Sequence, residues 1–179
     1  MKKIMILCLG FLLCVFVISC VGGLARPYQR KTVFVESDYL PYTKPGKATI
    51  IGQAFAVTRG GEIRYAAGRT VYLYPVTSYA DEYFEMQVVH GMHMSEADKR
   101  FIEFEKTTVS DATGMFEFKN LAPGKYYAVT EFGWCAGRNA QYIILGAKVE
   151  AKTEDVSKVI LPQVREPSPF VIGNMIRCP

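Results

Sequence analysis

Apolar and polar residues alternate with a period of two through the middle of the chain, from Thr107 to Trp134. Phe116 and Phe118 alternate with Met115 and Glu117, the signature of a half-buried strand. After Gly124 the same period places Tyr126, Ala128 and Phe132 on one face, and Tyr127, Val129 and Glu131 on the other. Turn chemistry separates the strands: Asp111-Ala112-Thr113-Gly114 before the first, Ala122-Pro123-Gly124-Lys125 between the two. Without further acidic ligands at a calcium-loop spacing, Asp111 reads as the residue of an Asx turn.

Strands are predicted on both sides of this stretch. Ala48 to Thr58 forms the first, with Gly52 as a candidate bulge. Arg59-Gly60-Gly61-Glu62 turns the chain into Ile63–Ala66. Thr70 to Val76 follows the Ala67-Gly68 turn, with Val71 and Leu73 facing the core and Tyr72 and Tyr74 opposite. Downstream of the Ala136-Gly137-Arg138-Asn139 loop come Tyr142–Glu150 and Val156–Leu161.

Between Pro75 and Lys106 the alternation is lost. Thr77 or Ser78 caps a predicted helix with Asp81 and Glu82 in its first turn and an aromatic face of Tyr79, Tyr83 and Phe84. Ser95-Glu96-Ala97-Asp98 reads as a capping box for a second short helix through Phe101. Ile102 to Val109 then reads as a strand. An insertion this long in a small β domain is more often functional than idle, so Tyr79, Tyr83 and Phe84 are the first candidates for partner contact.

The run from Ser110 to Tyr127 resembles the carboxypeptidase regulatory-like domain, through Asp111, Gly114, Phe116, Phe118, Leu121, Pro123, Gly124 and Tyr126. Ala67-Gly68-Arg69-Thr70-Val71-Tyr72-Leu73 resembles another strand of that family. The resemblance implies an all-β fold: a single transthyretin-like Greek-key β-sandwich of about seven strands over residues 48–161, with a short helical insertion at 76–101. It implies an accessory or binding module and brings no catalytic residues, because fold does not carry function.

The N-terminus changes the picture of where the domain works. Lys2 and Lys3 precede an apolar run from Ile4 to Ile18, too short for a span of about 20 residues and suited to a signal peptide. The run ends in Val17-Ile18-Ser19-Cys20, which resembles a bacterial lipobox. That resemblance implies a signal peptide over 1–19, a lipidated Cys20 and, with Val21 next, sorting to the outer membrane on its periplasmic side. Residues 20–47, carrying Pro27, Pro41 and Pro45, read as a tether, in which Thr32-Val33-Phe34-Val35 could add an edge strand. Cys8 and Cys14 leave with the signal peptide, so Cys135 and Cys178 remain to pair in an oxidising compartment and staple the tail, 162–179, beside Trp134. Closing that loop would stabilise the fold by about 4 kcal/mol. Without Lys2 and Lys3 the chain keeps 19 basic against 17 acidic residues, which is no argument for nucleic acid.

Chemistry-bearing residues are sparse. His90 and His93, the two histidines, lie among Met86, Met92 and Met94, a set of soft ligands suited to copper. Their H-x-x-H spacing is not the helical zinc spacing, and a Met-rich packing patch explains them as well. No nucleophile elbow is present, and Glu103, Glu105 and Glu117 read as a solvated strand face. Nine tyrosines (28, 39, 42, 65, 72, 74, 79, 83 and 142) exceed what one small core can hold and could stack on sugars or contact protein. The expected role is therefore a non-enzymatic lipoprotein without cofactor that engages an envelope protein. Soft-metal binding through the His/Met cluster and glycan or peptidoglycan binding through tyrosines are the alternatives.

Overall fold

A computed structural model describes residues 26–165 of the chain. It shows an all-β sandwich with a short helical insertion, in nine strands rather than about seven. One sheet is centred on β1 (Ala48–Val57), flanked by β2 (Ile63–Tyr65), β5 (Met115–Leu121) and β8 (Val156–Leu161). The other runs β4 (Lys106–Val109), β3 (Thr70–Pro75), β6 (Gly124–Ala136), β7 (Asn139–Ala151), β9 (Gln163–Arg165). Neighbours are antiparallel except β1 and β8, which run parallel.

The predicted alternation sets which side chains lie between the sheets. Val71, Leu73, Tyr126, Ala128 and Phe132 join Ile50, Phe116, Phe118, Leu145 and Leu161 in the inner core. Gly52 marks a close approach rather than a bulge: a Cβ there would collide with the Phe116 ring, and the register shift in this pair falls between Ala48 and Ile50. Asp111 closes the predicted Asx turn, its Oδ1 accepting from the amides of Thr113 at 2.7 Å and Met115 at 3.0 Å.

The surprise lies on the outer face of the five-stranded sheet. A second core collects Phe34, Tyr39, Tyr74, Tyr79, Val88, Phe101, Tyr127 and Val129. The insertion builds half of it: α1 (Ser78–Tyr83), capped by Thr77 as predicted, continues into a π-helical stretch, Phe84–Val89. A shorter helix, α2 (Lys99–Glu103), is capped by Asp98 and not by Ser95, whose amide instead bonds the carbonyl of Tyr28 at 2.9 Å.

The rest comes from the expected tether, and here the reading is corrected. Residues 28–42 do not hang free and form no edge strand. Glu36–Tyr42 is a 3-10 helix, and Phe34 and Tyr39 are buried. Glu82 accepts the amides of Lys31 and Thr32, each at 2.8 Å, and the Tyr39 hydroxyl meets Thr77 Oγ1 at 2.7 Å. Burial pushes the Tyr39 hydroxyl up to about 12. The expected strand from Ile102 begins only at Lys106, because Lys99–Glu103 is helical.

Candidate functional site

The strands β6 and β7 are each 13 residues long and pair over their whole length down to Ala136 and Asn139. Gly137, at φ +61°, opens the two-residue turn that joins them, as the tightest hairpins require. Parity along β6 keeps Trp134 on the inner face with Phe132, and its cross-strand partner is Gln141. At this end the inner core stops, and the two sheets leave a cleft between them.

The cleft has a volume of about 810 Å³, within the usual range for a small-molecule site. Trp134 and Gln141 line one wall. Thr58, Arg59, Glu62 and Arg64 line the other, from the β1–β2 turn and β2 itself. Arg64 pairs with Ala56 on β1, the inward side of that sheet, so its side chain enters the cleft while Ile63 and Tyr65 stay outside. Its Nη2 donates to Glu62 Oε2 at 2.7 Å. Trp134 packs on the Phe132 ring, centroids 5.7 Å apart, which fixes the indole against the core.

The residues singled out from sequence lie elsewhere. Tyr79, Tyr83 and Phe84 do not present a contact face. Tyr79 is 4% exposed, Tyr83 tilts against Phe101 and Tyr74, and Phe84 stacks on Tyr127 with centroids 4.1 Å apart. Burial raises the Tyr83 hydroxyl above its ordinary value. The His/Met cluster is divided. His90 pairs with Glu85 at 2.9 Å, and Met92 and His93 are exposed, whereas Met94 is buried where its strand-like bridge meets Tyr28. Among the described residues no group of three His, Cys, Asp or Glu side chains could hold a metal.

Cys135 lies in the cleft wall beside Trp134. Cys20 and Cys178 fall outside the described residues, as do the expected signal peptide and most of the tail. No helix among the described residues is long and apolar enough to cross a membrane. Of the tyrosines, Tyr39, Tyr74, Tyr79 and Tyr142 are buried and Tyr65 is exposed. The cleft itself was missed. Its one sequence signal was Trp134, set by parity on the inward face beyond the last large core residue of β6.

No family model and no curated protein matches the chain. Among solved structures, the fold is similar to a "putative carbohydrate binding protein" from Pseudomonas aeruginosa, with a TM-score of 0.64 and 22% sequence identity. The match covers 73% of this chain and 97% of that one. A likeness at this identity speaks for a shared sandwich and no more.

Proposed function

We propose that this chain is a non-enzymatic carbohydrate-binding module, lipid-anchored through Cys20 at the periplasmic side of the bacterial outer membrane. The observation that carries the reading is the cleft, with Trp134 and Gln141 on one wall and Thr58, Glu62 and Arg64 on the other. A pyranose has a C–H face that stacks on an indole and a rim of hydroxyls that need donors and acceptors together. Gln141 and Thr58 supply both, Arg64 donates and Glu62 accepts. The description of the Pseudomonas neighbour agrees with this use of the fold.

The lipobox supports the anchor. A lipid on Cys20 would leave eight residues to Tyr28, a reach of at most about 28 Å, so the domain would ride close to the bilayer. Cys135 is proposed to pair with Cys178, the cysteine left to it once Cys20 carries the lipid. The intact mass of protein extracted from membranes tests both, through the added acyl chains and the loss of two hydrogens.

Calorimetry with a panel of envelope-type oligosaccharides tests the site. Binding should weaken about tenfold or more in Trp134→Ala, with the far-ultraviolet dichroism unchanged. Absence of heat with every sugar would sink the reading.

A protein partner is the second reading, and one observation favours it. On the outer face of the four-stranded sheet, Val57, Ile63, Tyr65, Met115 and Ile160 are all exposed, and β1 joins their strands in register. In-cell crosslinking would support it through one enriched envelope protein, lost in an Ile63→Lys, Ile160→Lys variant.

A further inference from the structure

We infer that the Trp134 cleft is built for an acidic sugar, a uronic acid whose carboxylate is held by Arg64. The inference rests on the carbohydrate reading and adds the chemical class of ligand. Its first ground is charge: Arg59 and Arg64 face Glu62 alone, so the charged lining is net positive. Its second ground is where Arg64 sits. It enters from the inward side of β2 opposite Ala56, half-buried, with Nε shut off from solvent and without a hydrogen-bond partner among the described residues. A guanidinium with one N–H shut off from water and unpartnered gains from an incoming oxyanion.

Its third ground is that the existing pair is easily exchanged. Glu62 is 61% exposed on its side chain, and an exposed pair of this kind is weakly held. The bond to Glu62 uses one of the five guanidinium N–H groups. A ligand carboxylate could take two, in the parallel geometry that arginine offers and lysine does not. A uronic acid suits this cleft because its ring keeps a C–H face for the indole while its carboxylate projects from the ring edge. A neutral hexose has only a hydroxymethyl group there.

The test uses the mature protein and a panel of uronate oligosaccharides, each beside its carboxyl-reduced neutral counterpart. Trp134 is the single tryptophan of the chain, so its fluorescence reports the cleft directly. The acid should bind at least about tenfold tighter than its neutral counterpart, and the difference should shrink as salt rises. Arg64→Gln should abolish the preference, acid and neutral sugar then binding alike in that variant, while Arg64→Lys should restore part of it. Thermal melts establish that each variant folds, and Arg59→Gln, on the exposed turn, serves as the second variant. Equal binding of acid and neutral sugar, or a preference that survives Arg64→Gln or disappears only in Arg59→Gln, overturns the inference and leaves the carbohydrate reading standing. Failure of every sugar to bind overturns both.

Discussion

The five-stranded sheet carries a second layer on its outer face, while the four-stranded sheet carries none among the described residues. On the first, the strands present Tyr74, Tyr127 and Val129 outward, and the insertion with residues 28–42 covers them. On the second, β1 presents Ile51, Gln53, Phe55 and Val57 outward, interleaved with Glu117 and Lys158 from its neighbours. The inner core is mainly aliphatic with a few aromatic rings, and strand alternation builds most of it. The outer core is largely aromatic and joins parts of the chain far apart in sequence. Its polar links show this: the Tyr127 hydroxyl donates to Asp81 at 2.6 Å, Tyr79 accepts the Asp98 amide at 2.8 Å, and Arg30 lies over the Tyr79 ring at 4.5 Å. A tyrosine can be buried under such a layer because its hydroxyl finds a partner at the edge.

The comparison breaks if the two cores melt separately. Leu73, fully buried between the sheets, is the largest lever: Leu73→Ala should cost about 2–5 kcal/mol in denaturant unfolding and loosen both layers together. Loss of the inner core alone, with the outer aromatics still protected from exchange, would show the layers to be independent.

A smaller effect isolates the outer layer. Burial alone would raise the Glu82 carboxyl, but the Lys31 and Thr32 amides, the Thr32 hydroxyl and the charge of Arg30 bring it below its ordinary value. A depressed folded-state value contributes stability that is present above the unfolded glutamate range and lost as pH falls through the folded value. Glu82→Gln should therefore cost about 1 kcal/mol near neutrality, and its deficit against wild type should close in acid. A deficit constant with pH would mean that the carboxylate does not hold the 28–42 segment.

The smallest effect belongs to the bare face. Ile160 is 63% exposed, and Ile160→Lys should change stability by less than about 0.5 kcal/mol. A loss of several times that amount would mean that this face is covered after all.

The strands of the sandwich were legible in the sequence because a period of two survives in Met115–Phe118 and in Tyr126–Phe132, where one face meets the core. The cap at Thr77 and the Asx turn at Asp111 were legible for a related reason: each is settled by hydrogen bonds between residues at most four apart. Tyr79, Tyr83 and Phe84 were visible as an aromatic face, but whether that face meets solvent or a sheet depends on where the helix lands. Residues 28–42 looked like a tether for the same reason. Their prolines and scattered charges carry no period, and the contacts that bury Phe34 and Tyr39 come from residues about 40–70 positions away.

By itself the sequence determined the strand faces, the turns and the helix cap, since a residue's parity and its nearest neighbours decide those. Only the tertiary structure decided that the tyrosines divide between two cores, that the N-terminal segment packs against the insertion, and that Arg64 and Trp134 share a cleft. Those outcomes rest on contacts between residues far apart in sequence, whose partners are chosen by sheet order and layer packing and not by any local pattern.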